Sequence, residues 1–261
     1  MPVKKINPKK VPVKLASNEK PAVKHSADDF IKKLNTYQSN AELQKIKRYF
    51  KTDDGDYGHG DIFIGVKMGQ IFALAKEFMA MPLKEVEKLL ENKIHEVRVG
   101  AVSIMDFKAR DKKCTEEERK ALFDLYIKKH NCINNWDLVD RSAIHVVGRY
   151  LYDKPRTILY KLAKSKNIWE RRTAIVSTAY FLSKSDRNDT FKIAELLVND
   201  KEDLIQKAYG GWVRQAGKGD KKALLAFLDK HAATMPRTAL RYAVEHLDAK
   251  QKKQYMDAKM K

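Results

Sequence analysis

The chain has 261 residues, is 43% hydrophobic, and carries 53 Lys+Arg against 34 Asp+Glu for a formal net charge of +19. That length and apolar content exclude a wholly disordered chain and suffice for one large domain or two small ones around a true core. The charge fits a polyanionic partner, with nucleic acid ahead of an anionic membrane surface, and fits plain solubilisation as well.

No apolar run reaches the roughly 18–20 residues of a spanning helix, and no apolar signal segment follows the lysine-rich N-terminus. No membrane association is therefore expected. The two cysteines, Cys114 and Cys132, form no CxxC pair, and no histidine stands at ligand spacing from either. This predicts a reduced, cytoplasmic compartment and neither metal nor other cofactor.

Residues 1–26 hold seven lysines, four prolines and one glutamate, with almost no periodicity. They read as a flexible basic tail carrying +6 of the +19, which leaves +13 for residues 27–261. From about Asp28 apolar residues recur at three- and four-residue steps, as in "AELQKIKRYF" and "LKEVEKLLENKIHEVRVGAVSIMDFKA". "PLKEVEKLL" opens with a proline at a helix start and acids in the first turn. "YGHGDIFIGV" (Tyr57–Val66) is the one glycine-rich, partly β-branched segment and is predicted to be a loop, with at most a short strand pair there. Its glycines match neither GxGxxG nor a P-loop. "KIAELLVND" and "KALLAFLDKH" continue the helical theme.

Three strings share a shape: Ile94–Val102, Ile168–Val176 and Leu204–Trp212. Their spacing, 36 residues between the last two and about twice that between the first two, predicts stacked helix pairs of the HEAT kind. The expected fold is therefore all-α, a curved solenoid with a concave basic face.

Three constellations could carry function. In "INNWDLVD", Trp136 and Asp140 lie four apart and share a helix face. One reading is a core tryptophan beside an aspartate that caps or salt-bridges a neighbour. The other is a site where an indole face and a carboxylate converge on developing positive charge. In "NIWERR", Trp169 and Arg172 share a face, as a core ring beside a surface arginine or as a guanidinium clamp for phosphate. In "QKAYGGWVRQAGKGDKK", Lys207, Arg214, Lys218, Lys221 and Lys222 interleave with Tyr209 and Trp212, which suits either nucleic-acid contact or a solvated helix face. The seven histidines are scattered, and no Ser/His/Asp or Cys/His arrangement can be built from them.

From Ala41 to Tyr255 the chain resembles the AlkD-type DNA alkylation repair proteins, glycosylases made of HEAT-like repeats. The resemblance rests on "KTDDGDYGHGDIFIGV", "PLKEVEKLLENKIHEVRVGAV", "INNWDLVDRSA", "NIWERRTAIVST", "DLIQKA" and "TMPRTALRYAVE". It implies that Trp136 packs on the deoxyribose of the damaged nucleotide, that Asp140 is the catalytic carboxylate, and that Arg172 holds the DNA backbone. Trp169, Lys207, Trp212, Arg214 and Lys218 are expected to contact DNA beside them. Two positions depart from the family's pattern. Ungapped spacing from Arg172 puts Gly211, not Trp212, at the place of a second functional tryptophan, and one position is about 100° of helix rotation. Gly69 stands where relatives often have proline.

The implied activity is excision of cationic N3- or N7-alkylpurines from duplex DNA by a monofunctional glycosylase of the 7-methylguanine/3-methyladenine type, the first step of base excision repair. The expected protein is a monomer, cytoplasmic and associated with the bacterial nucleoid when on DNA. The rival expectation, favoured by Gly211, is a non-catalytic helical-repeat module that binds nucleic acid or protein.

Overall fold

The computed structural model describes residues 25–50 and 58–258. The described residues are helical: α1 (Ala27–Asn35), α2 (Asn40–Phe50), α3 (Met68–Glu77), α4 (Leu83–Leu90), α5 (His95–Arg110), α6 (Glu116–Lys128), α7 (Trp136–Ala143), α8 (Arg149–Leu151), α9 (Thr157–Leu162), α10 (Ile168–Ser183), α11 (Asn188–Leu197), α12 (Asp203–Gly219), α13 (Lys221–His231), α14 (Arg237–Ala243) and α15 (Ala249–Met256). A π-helical segment, Ile144–Gly148, joins α7 to α8 without a break. Among the described residues the sole β feature is one parallel bridge between Ile62 and Ile94. The fold is all-α, as the helical spacing predicts.

The helices form a central row with flanking partners. α3, α5, α7, α10, α12 and α14 pack in that order, while α4, α6, α9, α11 and α13 lie against the row from outside. Burial follows position. α5 is covered along nearly its whole length, from His95 to Asp106, and α10 from Arg172 to Thr178, because each is held between two row neighbours and a flanking helix. α4, at the outside, buries only Val86, Leu89 and Leu90, the stripe that an amphipathic helix turns inward. One continuous apolar core runs from Ala27 to Tyr255.

The recurring sequence strings have a structural cause. Near the start of α5, Arg98 folds back and donates to the carbonyls of Asn92 (2.9 Å) and Lys93 (3.0 Å). Arg171 on α10 does the same to Ser165 and Lys166, both at 3.0 Å, and Gln206 on α12 to Asp200 at 2.9 Å. Each side chain ties down the turn that delivers the chain into a row helix. The equivalent of Arg98 is therefore Arg171, one residue earlier than matching the strings by eye suggests. This leaves Arg172, its neighbour, without a place in the repeat's own bonding.

Pro82 is the N-cap of α4, in line with its sequence reading. At the end of the expected tail, the Ser26 hydroxyl accepts from the Asp29 N–H at 3.1 Å and caps α1, and the His25 ring lies 4.7 Å from Phe78. The rest of the expected tail, residues 1–24, and Tyr57 at the head of the expected loop lie outside the described residues. Gly58–Val66 is a non-helical connection. Its end is clamped by buried Glu96, which accepts from the N–H groups of Ile64 (3.0 Å) and Gly65 (2.8 Å). Gly69 enters the first turn of α3 with open space around it. No helix among the described residues is long and apolar enough to cross a membrane.

Candidate active site

α7 begins where Asn135, fully buried, takes the N-cap position and accepts the Trp136 N–H at 2.8 Å. The same side chain donates to Asp61 at 3.1 Å, and Asn134 reaches the same carboxylate at 3.4 Å. Arg98 completes the set with an ion pair to Asp61. His95, wholly buried, stands between two carboxylates: Nε2 is 2.8 Å from Asp137 and Nδ1 is 3.3 Å from Asp61. Burial pushes the imidazole toward neutrality, but the Asp137 and Asp61 carboxylates together outweigh it and raise its pKa to about 9. Burial likewise pushes Asp61 up. The His95 hydrogen bond, the Arg98 charge and the Asn135 amide outweigh it and bring its pKa down to about 2. The start of α7 is thus fixed by a largely buried network of two carboxylates and two cations.

Aromatic rings carry that rigidity to the surface. Phe63 lies 4.7 Å from the His95 ring, His95 lies 5.2 Å from Phe50, and Phe50 stacks on Trp136 at 5.5 Å with 17° between planes. Tyr49 meets Trp136 edge-on at 5.7 Å. Trp136 is half-buried, neither a core residue nor a free one, and lines an open cleft of about 540 Å³.

One turn further along α7, Asp140 opens into the same cleft with 39% of its side chain exposed. Arg172 grips it with both prongs of the guanidinium, Nε to Oδ1 at 2.8 Å and Nη2 to Oδ2 at 2.7 Å. Its Nη1 donates to the Leu204 carbonyl at 2.7 Å, which anchors the arginine to the start of α12. The bidentate fork fixes both the position and the plane of the carboxylate. The expectation from sequence gave Arg172 to the DNA backbone. In the structure its hydrogen bonds go to Asp140 and Leu204, and the residue is 8% exposed.

The cleft gathers Tyr49, Trp136, Asp140 and Arg172 with Lys207, Gly211, Trp212, Arg214 and Tyr242. Lys207 pairs with Asp203 at 2.6 Å, and Arg214 forms an ion pair with Glu245. Trp212 reaches the cleft although Gly211 precedes it there; both positions of α12 border the opening. Two expected DNA-contacting residues lie elsewhere. Trp169 is 8% exposed and belongs to the core, because it falls on the inward side of α10's first turn. Lys218 is exposed and lines a separate, smaller hollow with Lys221 and His246.

Sequence reasoning missed four residues: Asp61, His95, Tyr49 and Tyr242. The histidine and the loop aspartate carry no spacing signal, since each finds its partners across the fold. "RYF" at the end of α2 and "RYA" in α14 look like ordinary helix ends.

A solved structure of a predicted DNA alkylation repair enzyme from Enterococcus faecalis superposes with a TM-score of 0.62, covering 82% of this chain and 98% of that one at 21% identity, which establishes the shared fold. No curated protein matches the chain. The sequence model of the DNA alkylation repair enzyme family matches residues 30–247, a span that holds the cleft, its carboxylate and the row of helices that frames them, and the chain belongs to that family.

Proposed function

We propose that the protein is a DNA glycosylase that excises cationic N3- or N7-alkylpurines from duplex DNA. The observation that carries this reading is Asp140: a partly exposed carboxylate, held in one orientation by Arg172, beside the Trp136 ring in an open cleft. A purine alkylated at N3 or N7 already bears positive charge. Its bond to C1′ breaks with the electron pair going to the base, which departs neutral and needs no general acid. Positive charge grows on the sugar instead. Asp140 stabilises that charge and orients the attacking water, accepting its proton as the new C1′–O bond forms. The face of Trp136 adds a cation–π contribution.

Arg172 acts in this scheme as a positioning residue, with two N–H groups left after its bonds to Asp140 and Leu204. Lys207 and Arg214 stand at the rim to meet phosphates, each held by an acidic neighbour that a phosphate can displace. A monomer that lays the central row of helices against one duplex satisfies these contacts. The rival reading is a non-catalytic nucleic-acid-binding module, and it draws on the missing side chain at Gly211. The test is release of 7-methylguanine from methylated duplex DNA under single-turnover conditions. The glycosylase releases free base at a rate above the spontaneous one; a binding module retains the DNA and releases base at the spontaneous rate.

A further inference from the structure

α12 and α14 pack backbone to backbone. A Cβ placed on Gly210 would sit 2.5 Å from the Ala239 carbonyl oxygen and 3.0 Å from the Tyr242 Cβ, so only glycine lets the two helices approach this closely. One consequence is that Tyr242 is carried to the edge of the cleft. At the next position a Cβ on Gly211 would meet only the Tyr242 ring, at an ordinary contact distance of 3.9 Å. The ring thus lies beside the space into which a side chain at 211 would grow. Tyr242 is 37% exposed, and Tyr49 is 66% exposed. Few large apolar side chains among the described residues are so open, and these two line the same cleft, with Trp136 and Asp140. Exposed rings gathered around one carboxylate fit a surface that a ligand covers.

We propose that Tyr242 is a substrate-contacting wall of the cleft, supplied by α14 in place of the side chain that α12 lacks at Gly211, and that it packs against the deoxyribose of the damaged nucleotide. This rests on the glycosylase reading. A ring on the sugar excludes water from one side of C1′ and faces the cation that develops there. Trp212 is the competing candidate, since it also borders the cleft, but it packs partly into the core.

The test is a set of variants: Tyr242→Phe, Tyr242→Ala, Trp212→Ala, and Gly211→Trp introduced into Tyr242→Ala. Folding of each is checked by thermal melting. Tyr242→Phe should excise 7-methylguanine at close to the wild-type rate, and Tyr242→Ala should be slower by roughly ten- to hundredfold, the worth of one stacked ring. Gly211→Trp in that background should recover much of the loss, since the tyrosine's space is then empty. An unchanged rate for Tyr242→Ala overturns the proposal, as does a loss confined to Trp212→Ala. If the wild type releases no base, the glycosylase reading fails, and the wall is tested by binding alone. A duplex with a cationic pyrrolidine abasic site should then bind Tyr242→Ala more weakly than wild type, and equal binding overturns the wall.

Discussion

Asp137 and Asp140 stand one turn apart on α7, and each faces a cation. Asp137 meets the buried imidazole of His95 at 2.8 Å with 10% of its side chain exposed. Asp140 meets the guanidinium of Arg172 at 2.7 Å with 39% exposed. The first pair belongs to a largely buried network with Asp61 and Arg98, covered by Phe50 and Phe63, and only Asp137 reaches the edge of a neighbouring hollow. The second opens onto a cleft. The two carboxylate–cation pairs differ in solvent access, and in the function proposed above that difference separates their jobs. A largely buried pair fixes a helix; an open pair keeps one side of its carboxylate for a ligand.

Breaking the buried side should have the largest effect on stability. Arg98→Ala leaves the buried Asp61 carboxylate short of a cation and frees two loop carbonyls, a loss of about 3–5 kcal/mol by analogy with other broken buried pairs. Denaturant unfolding should show it as a lower midpoint with an unchanged slope. A loss under about 1 kcal/mol would mean that the network is not what holds α7.

The pH dependence of stability comes next in size. His95 has its pKa raised, to about 9, so its contribution is complete below its unfolded value of 6.5 and is lost as pH rises through about 9. Asp61 is lowered to about 2, so its contribution is complete above 3.8 and is lost as pH falls through about 2. A tenfold difference in proton affinity between the folded and unfolded chain corresponds to about 1.4 kcal/mol. Wild type should therefore lose more stability between pH 6.5 and 9 than His95→Gln does, as read by melting temperature; parallel profiles would remove His95 from the account.

The open side is sharpened by Arg172→Lys. A single ammonium keeps the charge and loses the two-pronged grip on Asp140 and the bond to Leu204. The single-turnover rate should fall by about tenfold or more while DNA affinity changes little, a loss of roughly 1.4 kcal/mol in the barrier. A defect in affinity alone would return Arg172 to the phosphate role that its family resemblance implies. The smallest effect is expected at the rim. Lys207→Ala should reduce the slope of log affinity against log salt by about 0.9 if it meets one phosphate.

Much of this site could be seen in the letters, and the limits have physical causes. Trp136 and Asp140 were visible because a four-residue step on a helix is a spatial statement that needs no tertiary information. The helical row was visible for the same reason. Arg172 could be singled out but its bonds could not, since which arginine closes a turn and which reaches a carboxylate depends on where α7 and α12 lie. Trp169 reads like Trp136 in sequence, yet only packing decides that one ring is sealed and the other half open. His95 and Asp61 gain their partners through contacts that bring a loop, α5 and α7 together. Tyr242 depends on how closely α12 and α14 approach, which two glycines alone do not reveal.

The central claim is that exposure divides two like aspartates into a structural one and a chemical one. The most direct measurement compares Asp137→Asn with Asp140→Asn, scoring both unfolding free energy and single-turnover release of 7-methylguanine from bound, methylated duplex. Asp140→Asn should slow excision by an amount on the order of 2–4 kcal/mol in the barrier, with DNA binding and stability nearly unchanged. Asp137→Asn should do the reverse, lowering stability while the folded protein excises at close to the wild-type rate. Equal excision rates for wild type and Asp140→Asn, both folded and both bound to DNA, would contradict the account and leave a DNA-binding module in its place.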